Sequence, residues 1–428
     1  MRIGIWCAYG RTLETTQGIG VFTHAVARGF AGLPGVTDVQ LVIHAGDEPL
    51  VRATVEAGRG RIHVAELHPQ AWRDRWRWKA LRRRHRRLCD RLVSGPDERL
   101  AARRDAVEQA IDALFARQQL VEPPDTPPRD AWLLPHVAVE RPLAAPTVVV
   151  VHDMVPLRFP GTVKASELES FRRRSWLVVH EATLVGTMSR TICRDDIVGL
   201  LGCPAAKCRV VAPATPDDLG TPADRAALLG VIPAAALPFL VYPAAWRPYK
   251  NHAALIEALA FVRQHSHPDM QLIFTGFEPL PAELARLASG LGLAGVVHAV
   301  GSVDRPVLAA LYREAAATVV PSLYEQGSFP VLEAIHCGCP AACSDIPALR
   351  EAFAGLGGAV PFFDPRSPAS IAATVTAVLA DREGVRRRQH DAVAALPPRS
   401  WPDVATDWLA VLREAADHPG LVATEGRR

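Results

Sequence analysis

The feature that most constrains the fold is a repeated alternation of short, largely apolar runs with longer stretches of helical periodicity. Six β-branched runs stand out: Arg2–Trp6, Val39–His44, Thr147–His152, Phe239–Tyr242, Gln271–Thr275 and Ala317–Pro321. They lack the strict apolar–polar alternation of a half-exposed sheet, as expected of parallel strands covered on both faces. Between them lie apolar stripes at helical spacing, such as Leu255, Leu259 and Val262, or Leu308, Leu311 and Tyr312. Alternating β and α predicts open parallel sheets of the doubly wound α/β kind, with helices on both faces.

The chain has 428 residues, well beyond the roughly 150 of a single typical domain. A Pro/Gly/Ala-rich stretch, Pro213–Pro238, separates two α/β series. The expected division is an N-terminal Rossmann-like domain over residues 1–223 and a second over 224–398. A last helix, Trp401–Glu414, and a tail occupy 399–428, the helix returning toward the N-terminal domain. Val404, Trp408 and Val411 share one face of that helix, and Gly420–Arg428 reads as a frayed end. Within the first half, Gln70–Glu122 breaks the rhythm and reads as a helical insertion, followed by a proline-rich loop over Val121–Arg129.

Composition matters chiefly for where the charge lies. The chain is 49% hydrophobic and 22% charged, enough for sizeable cores, and its net charge is only +3. Yet Trp72–Ala106 holds thirteen Lys/Arg against five Asp/Glu, a local +8 that leaves the rest at −5. Within it Trp78, Leu81, His85, Leu88 and Leu92 fall on one helical face, with Trp72 and Trp76 near its start. Two readings stay open. The stripe packs on its own domain while the arginines face solvent, or Trp72–Leu92 docks on an anionic membrane surface with tryptophan at headgroup level. No nucleic-acid-binding module accompanies the block, so a nucleic-acid partner is not expected.

No apolar run reaches the roughly 18 residues that a membrane span needs. The N-terminus, MRIGIWCAYG, reads as an immediate buried strand rather than a secretory signal, so the expected location is cytoplasmic, or peripheral on the inner face of the cytoplasmic membrane. Eight cysteines in such a length make no disulfide scaffold. His336 with Cys337, Cys339 and Cys343 matches no standard zinc spacing.

The richest chemistry lies in PSLYEQGSFPVLEA, Pro321–Ala334. Pro321 ends a strand, Glu325, Gly327 and Ser328 form a loop, and Phe329-Pro330 lead into a helix. A helix N-terminus offers backbone N–H groups to an anion, and glycine allows a ligand to approach the backbone closely. A loop carboxylate can accept sugar hydroxyl protons, and one on the helix can grip a diol. Two glutamates eight apart could equally be exposed charges.

The context resolves that. Residues 301–353, GSVDRPVLAALYREAAATVVPSLYEQGSFPVLEAIHCGCPAACSDIPALREAF, resemble the C-terminal signature of glycosyltransferase family 4, the retaining enzymes of GT-B fold. YPAAWRPYKNHAALIEALA (242–260) resembles the strand–loop–helix of its mannosyltransferase-like members, and FTG (274–276) and FDP (363–365) follow in family order. In the first half, VVVVHDMVPLRFPG (148–161) and GTMSRTICRDDI (186–197) resemble family motifs too. The resemblance implies two Rossmann-like domains facing across a cleft that holds a nucleotide sugar. It implies Lys250 as the cation that neutralises the diphosphate, with Asn251 beside it. The family's arginine position is Ala245 here, and Arg247 either substitutes for it from a shifted loop position or is a surface residue. Glu325 would contact the donor sugar and Glu333 the ribose, with Gly327, Ser328 and Phe329 facing sugar and phosphate. The loop reads Gly-Ser-Phe-Pro where the family has a second glycine. His152 would touch the donor sugar, Asp153 would orient it or meet the acceptor, and Gly18 and Gly20 would approach the diphosphate from the N-terminal domain.

The reaction implied is retaining hexosyl transfer without a metal or other cofactor. The "YPA…KNH" form points to mannose from GDP-mannose, and the acceptor expected is a glycan or a lipid-linked glycan in cell-surface polysaccharide synthesis. A nucleotide-sugar epimerase of the same fold, or a non-catalytic subunit of a glycan-assembly complex, are the alternatives.

Overall fold

The computed structural model describes residues 1–8, 13, 18–44, 46–67, 128–137, 146–163, 165–214, 219, 223, 228, 230–233, 238–276 and 279–417, with scattered positions between 76 and 110. The chain forms two units, Met1–Ala214 with Arg399–Arg428, and Thr215–Pro398. Leu219 is buried in the core of the second unit, and the Ala223 N–H donates to Pro306 O (2.9 Å).

Among its described residues the first unit has seven parallel strands: β1 (Arg2–Trp6), β2 (Asp38–His44), β3 (Ile62–Leu67), β4 (Ala131–Leu134), β5 (Thr147–Val150), β6 (Leu184–Thr187) and β7 (Cys208–Val210), in the order β3-β2-β1-β4-β5-β6-β7. The central strands are buried almost throughout, which is why they read as apolar runs, whereas edge strand β3 mixes buried, half-buried and exposed positions. β1 sits in the middle, Ile3 pairing with Val39 on one side and Ala131 on the other.

The last helix, Trp401–Asp417, packs in this unit against the helix Gly18–Gly32, and its Trp408 is fully buried. Gly186 on β6 makes room for that indole: a Cβ there would lie 2.3 Å from the ring. Arg209 on β7 and Glu414 on the last helix form an ion pair that ties the returning segment to the sheet edge.

The described residues of the second unit form six parallel strands: β8 (Phe239–Pro243), β9 (Gln271–Thr275), β10 (Val297–Ala299), β11 (Ala317–Val320), β12 (Ala341–Ser344) and β13 (Phe362–Phe363). Their order, β10-β9-β8-β11-β12-β13, is the Rossmann arrangement. The predicted helical stripe of Leu255, Leu259 and Val262 lies on the helix His252–His265 and is buried in this core, and so are Leu311 and Tyr312 on Arg305–Glu314. The strand order reverses between β8 and β11, so the loops leaving their C-terminal ends flank the switch point at which such sheets bind ligands.

Of the stretch Trp72–Leu92, Trp76, Arg77, Ala80, Leu81, Arg83, Arg84, Arg87 and Leu88 are described and helical. Leu88 is buried, Leu81 is half-buried, the four arginines are exposed, and Trp76 is 67% exposed. Trp72, Trp78, His85 and Leu92 lie outside the described residues, as do most of the Val121–Arg129 loop and the Gly420–Arg428 tail. No helix among the described residues is long and apolar enough to cross a membrane.

Candidate functional site

The loops after β8 and β11 are stitched together at the switch point of the second unit. After β8 the chain runs through Ala244–Arg247 into a single 3₁₀ turn, Pro248–Lys250. Asn251 then adopts a left-handed conformation (φ 60°, ψ 39°) and starts the helix His252–His265, a conformation asparagine tolerates better than most residues. Its amide nitrogen donates to Pro321 O (3.0 Å) and Pro365 O (2.7 Å). Asn251 therefore spends its donors on the scaffold, fixing the β8 loop to the end of β11 and to the FDP turn. The Leu323 N–H donates to Tyr249 O (2.7 Å) and adds a second stitch.

These contacts bring Lys250 to Glu325. The Lys250 Nζ donates to Glu325 Oε1 at 2.5 Å, and Ser322 Oγ donates to the same oxygen at 2.7 Å. Ser322 Oγ in turn lies 2.9 Å from the Tyr242 hydroxyl, which is also 3.2 Å from Lys250 O. Burial alone would lower the Lys250 pKa, but the adjoining Glu325 carboxylate more than offsets that and holds the ammonium above its usual range. Burial pushes the Tyr242 phenol up, so it stays a neutral hydroxyl. The site thus presents a fixed positive charge and a carboxylate side by side on partly exposed side chains.

Behind them His252 packs among Tyr242, Trp246 and Phe274, with ring centroids 5.1, 4.6 and 5.0 Å away. Burial lowers its pKa to about 4, so the ring is neutral near pH 7, its Nε2 within 3.4 Å of Ala244 O. Arg247 is exposed, and its guanidinium donates to the carbonyl of Trp246 (3.5 Å).

The loop after Glu325 leads into the helix Phe329–His336, which Ser328 precedes in extended conformation. Ser328 is 6% exposed, and its hydroxyl neither caps the helix nor finds another partner among the described residues. A Cβ on Gly327 would meet nothing within 4 Å, so the fold itself does not demand glycine there. Glu333 lies one turn into the helix. The buried Tyr312 hydroxyl donates to its Oε2 (3.1 Å), and burial raises the carboxyl pKa against the pull of Tyr312 and Arg305.

In the first unit, His152 follows β5 and is nearly buried, its ring edge-on to Phe22 of the helix Gly18–Gly32 (5.1 Å, 78°). Gly18 and Gly20 open that helix. Asp153 Oδ1 accepts the Val155 N–H (3.1 Å) and so braces the turn that follows. Arg158, from the same loop, pairs with the buried Asp196 and donates to Asp195 O (2.8 Å). Asp196 sits in a π-helical turn, Cys193–Val198, so this pair ties the His152 loop to the next connection.

The sequence reading brought forward Lys250, Glu325 and Glu333 but not Ser322, Tyr242 or Tyr312. The serine and Tyr242 both fall inside segments quoted for their resemblance, so a signal was present. What no spacing gives is their meeting across strands.

Comparison with known proteins places this geometry. Residues 234–393 match the family described as glycosyl transferases group 1. The chain is 32% identical over 232 residues to the D-inositol 3-phosphate glycosyltransferase of Geodermatophilus obscurus, covering 49% of this chain and 50% of that one. It is 31% identical over 170 residues to the MMP alpha-(1->4)-mannosyltransferase of Mycolicibacterium hassiacum (39% and 41%), and 27% over 281 residues to the O-antigen chain mannosyltransferase B of Escherichia coli (65% and 71%). It thus spans about half or less of the first two. Among solved structures, Anabaena Alr3699/HepE in complex with UDP and glucose superposes with a TM-score of 0.62 at 15% identity, covering 97% of this chain and all of that one. WaaG, a glycosyltransferase involved in lipopolysaccharide biosynthesis, gives 0.61 at 13%, covering 95% and 99%. At these identities the superpositions establish a shared GT-B fold of two Rossmann-like units.

Proposed function

We propose that this chain, whose residues 234–393 belong to the glycosyl transferases group 1 family, is a glycosyltransferase that takes a hexose from a nucleotide sugar and passes it to a glycan or lipid-linked acceptor. The observation that carries the reading is the pairing of Lys250 with Glu325 at the β8/β11 switch point. A leaving nucleoside diphosphate gains negative charge as the glycosidic bond breaks, and a preorganised cation stabilises that charge more than it stabilises the ground state. Lys250 has two further N–H donors to give to phosphate oxygens. Glu325 accepts hydrogen bonds from sugar hydroxyls, and Glu333, fixed through Oε2 by Tyr312, offers Oε1 to the ribose diol. Backbone N–H groups at the start of Phe329–His336 face the phosphate, and the open side of Gly327 admits it. His152, Asp153, Gly18 and Gly20 are assigned to the sugar, the diphosphate and the acceptor by the same resemblance, and Arg247 to the phosphates.

Two carboxylates in these roles need no covalent sugar intermediate. The reading is front-face transfer with retained configuration, without a metal, in which the departing phosphate oxygen takes the acceptor proton. GDP-mannose is the preferred donor, supported by the mannosyltransferase names of two relatives and by the YPA…KNH segment. Turnover of GDP-mannose, UDP-glucose and ADP-glucose by pure protein tests the donor: release of GDP from the first is expected, and exclusive use of another base overturns the mannose assignment. NMR of the product anomer tests the stereochemistry, with inversion as the contradicting result.

For the basic insertion the supported reading is mixed. Buried Leu88 beside exposed arginines fits an insertion packed on its own unit, and exposed Trp76 among Arg77, Arg83, Arg84 and Arg87 fits an anionic lipid surface. Sedimentation with phosphatidylglycerol vesicles separates the two, since only the second predicts pelleting that neutral vesicles do not reproduce.

A further inference from the structure

We infer that Ser322 and Tyr242 are positioning residues that hold the Glu325 carboxylate in place when its lysine partner turns to the ligand. The inference rests on the donor-site reading above and names the parts that keep this site in register.

Glu325 Oε1 accepts from two donors, Lys250 Nζ (2.5 Å) and Ser322 Oγ (2.7 Å). Once the serine proton is committed to the carboxylate, its oxygen is left to accept, and the Tyr242 hydroxyl at 2.9 Å is the donor in reach. The single tyrosine proton has two acceptors in reach, Ser322 Oγ at 2.9 Å and Lys250 O at 3.2 Å, and its bond to the nearer serine oxygen completes a chain from tyrosine to serine to carboxylate. Both relay residues are sealed from solvent, Ser322 at 0% and Tyr242 at 1% exposure. Neither can touch a substrate, so any effect on the reaction passes through Glu325.

The need for a second anchor follows from the charges. A diphosphate brings negative charge to Lys250 and competes with Glu325 for the ammonium. A carboxylate held only by that ammonium would be released into its other rotamers just when it has to receive the sugar hydroxyls. The serine bond does not depend on Lys250, and it originates on the end of β11, the rigid side of the loop. Oε1 stays anchored and Oε2 keeps its direction.

The same geometry makes the test clean. In Ser322→Ala the Tyr242 hydroxyl still has Lys250 O within 3.2 Å, so no buried donor is orphaned and the fold is retained. Full-length wild type, Ser322→Ala, Ser322→Thr and Tyr242→Phe would be compared in GDP and UDP affinity by calorimetry and in turnover of GDP-mannose and UDP-glucose. For Ser322→Ala the expected result is nucleotide affinity within a few-fold of wild type and kcat lower by about 100-fold, the scale of a catalytic group misplaced by an ångström. Ser322→Thr restores most of the turnover, and Tyr242→Phe shows a smaller loss of the same kind. Turnover of Ser322→Ala within threefold of wild type would overturn the inference, and so would equal losses of nucleotide affinity and kcat. A wild type that neither binds nor turns over any of these ligands would instead defeat the donor-site reading, and the relay with it.

Discussion

The two units share a strand order around their central strands, β3-β2-β1-β4-β5-β6 in one and β10-β9-β8-β11-β12-β13 in the other, yet they finish those strands differently. The second unit ends β8 and β11 in charged loops that are bonded to each other: Lys250 to Glu325, Asn251 to Pro321, Leu323 to Tyr249. The first unit ends β5 in a histidine packed edge-on against Phe22, and spends its charged pair, Arg158 with Asp196, on bracing the loop. The lesson is that the Rossmann topology supplies a place for a ligand and the loop residues supply the chemistry. One unit carries a preorganised charge at its switch point, whereas the ion pair that follows β5 in the other braces a loop.

The comparison breaks first on stability. Trp408 fills the space that Gly186 leaves in the first unit, so Trp408→Ala is expected to cost about 3–5 kcal/mol, read from urea unfolding. If the second unit carries the nucleotide site, that variant keeps its GDP or UDP affinity under conditions where it stays folded. Parallel loss of both would show that the division of labour is wrong.

Next in size is Lys250→Ala. Loss of one preorganised donor is worth about 3 kcal/mol of transition-state stabilisation, or roughly 100-fold or more in kcat. Turnover assays check this, with circular dichroism confirming the fold. Turnover within a few-fold of wild type would remove the charge from the account.

The pH dependence sharpens the contrast further. Burial raises the Glu333 pKa above its ordinary 4.5. On the fold alone, a raised value means that the protonated carboxyl is favoured: this contribution to stability is full below the unfolded pKa and is lost as pH rises through the folded one. Ribose binding needs the ionised form, so nucleotide affinity should move the other way and fall as pH drops through that raised value, by at most about tenfold per pH unit. Calorimetry of nucleoside diphosphate binding between pH 4.5 and 7 checks this, and Glu333→Gln should flatten the curve.

The smallest stability effect is expected at Gly327. With open space around the site of a Cβ, Gly327→Ala should leave unfolding within about 0.5 kcal/mol, the range of an ordinary surface change. The methyl stands where the ligand is to approach, so affinity for nucleotide sugar should fall several-fold. Equal affinity in both proteins would move the ligand off this loop.

Legibility in the sequence followed burial. Strands β1, β2, β5, β8, β9 and β11 were visible as apolar runs because both their faces are covered. β12 (Ala341–Ser344, AACS) and β13, two residues long, carry too few β-branched side chains to announce themselves, and β3 is an amphipathic edge. In the site, Lys250, Glu325 and Glu333 were legible because each stands in a recognisable local pattern. The relay was not, since Tyr242 and Ser322 stand 80 residues apart, and the sheet, rather than any local spacing, brings them together.

The central claim is that the β8/β11 switch point binds a nucleoside diphosphate through Lys250. Isothermal titration of full-length wild type and Lys250→Ala with GDP, UDP and ADP tests it most directly. The account predicts that wild type binds at least one of the three and that Lys250→Ala binds the same nucleotide at least about tenfold more weakly, a loss of roughly 1.4 kcal/mol or more. Wild type binding none of them, or both proteins binding equally, would contradict it.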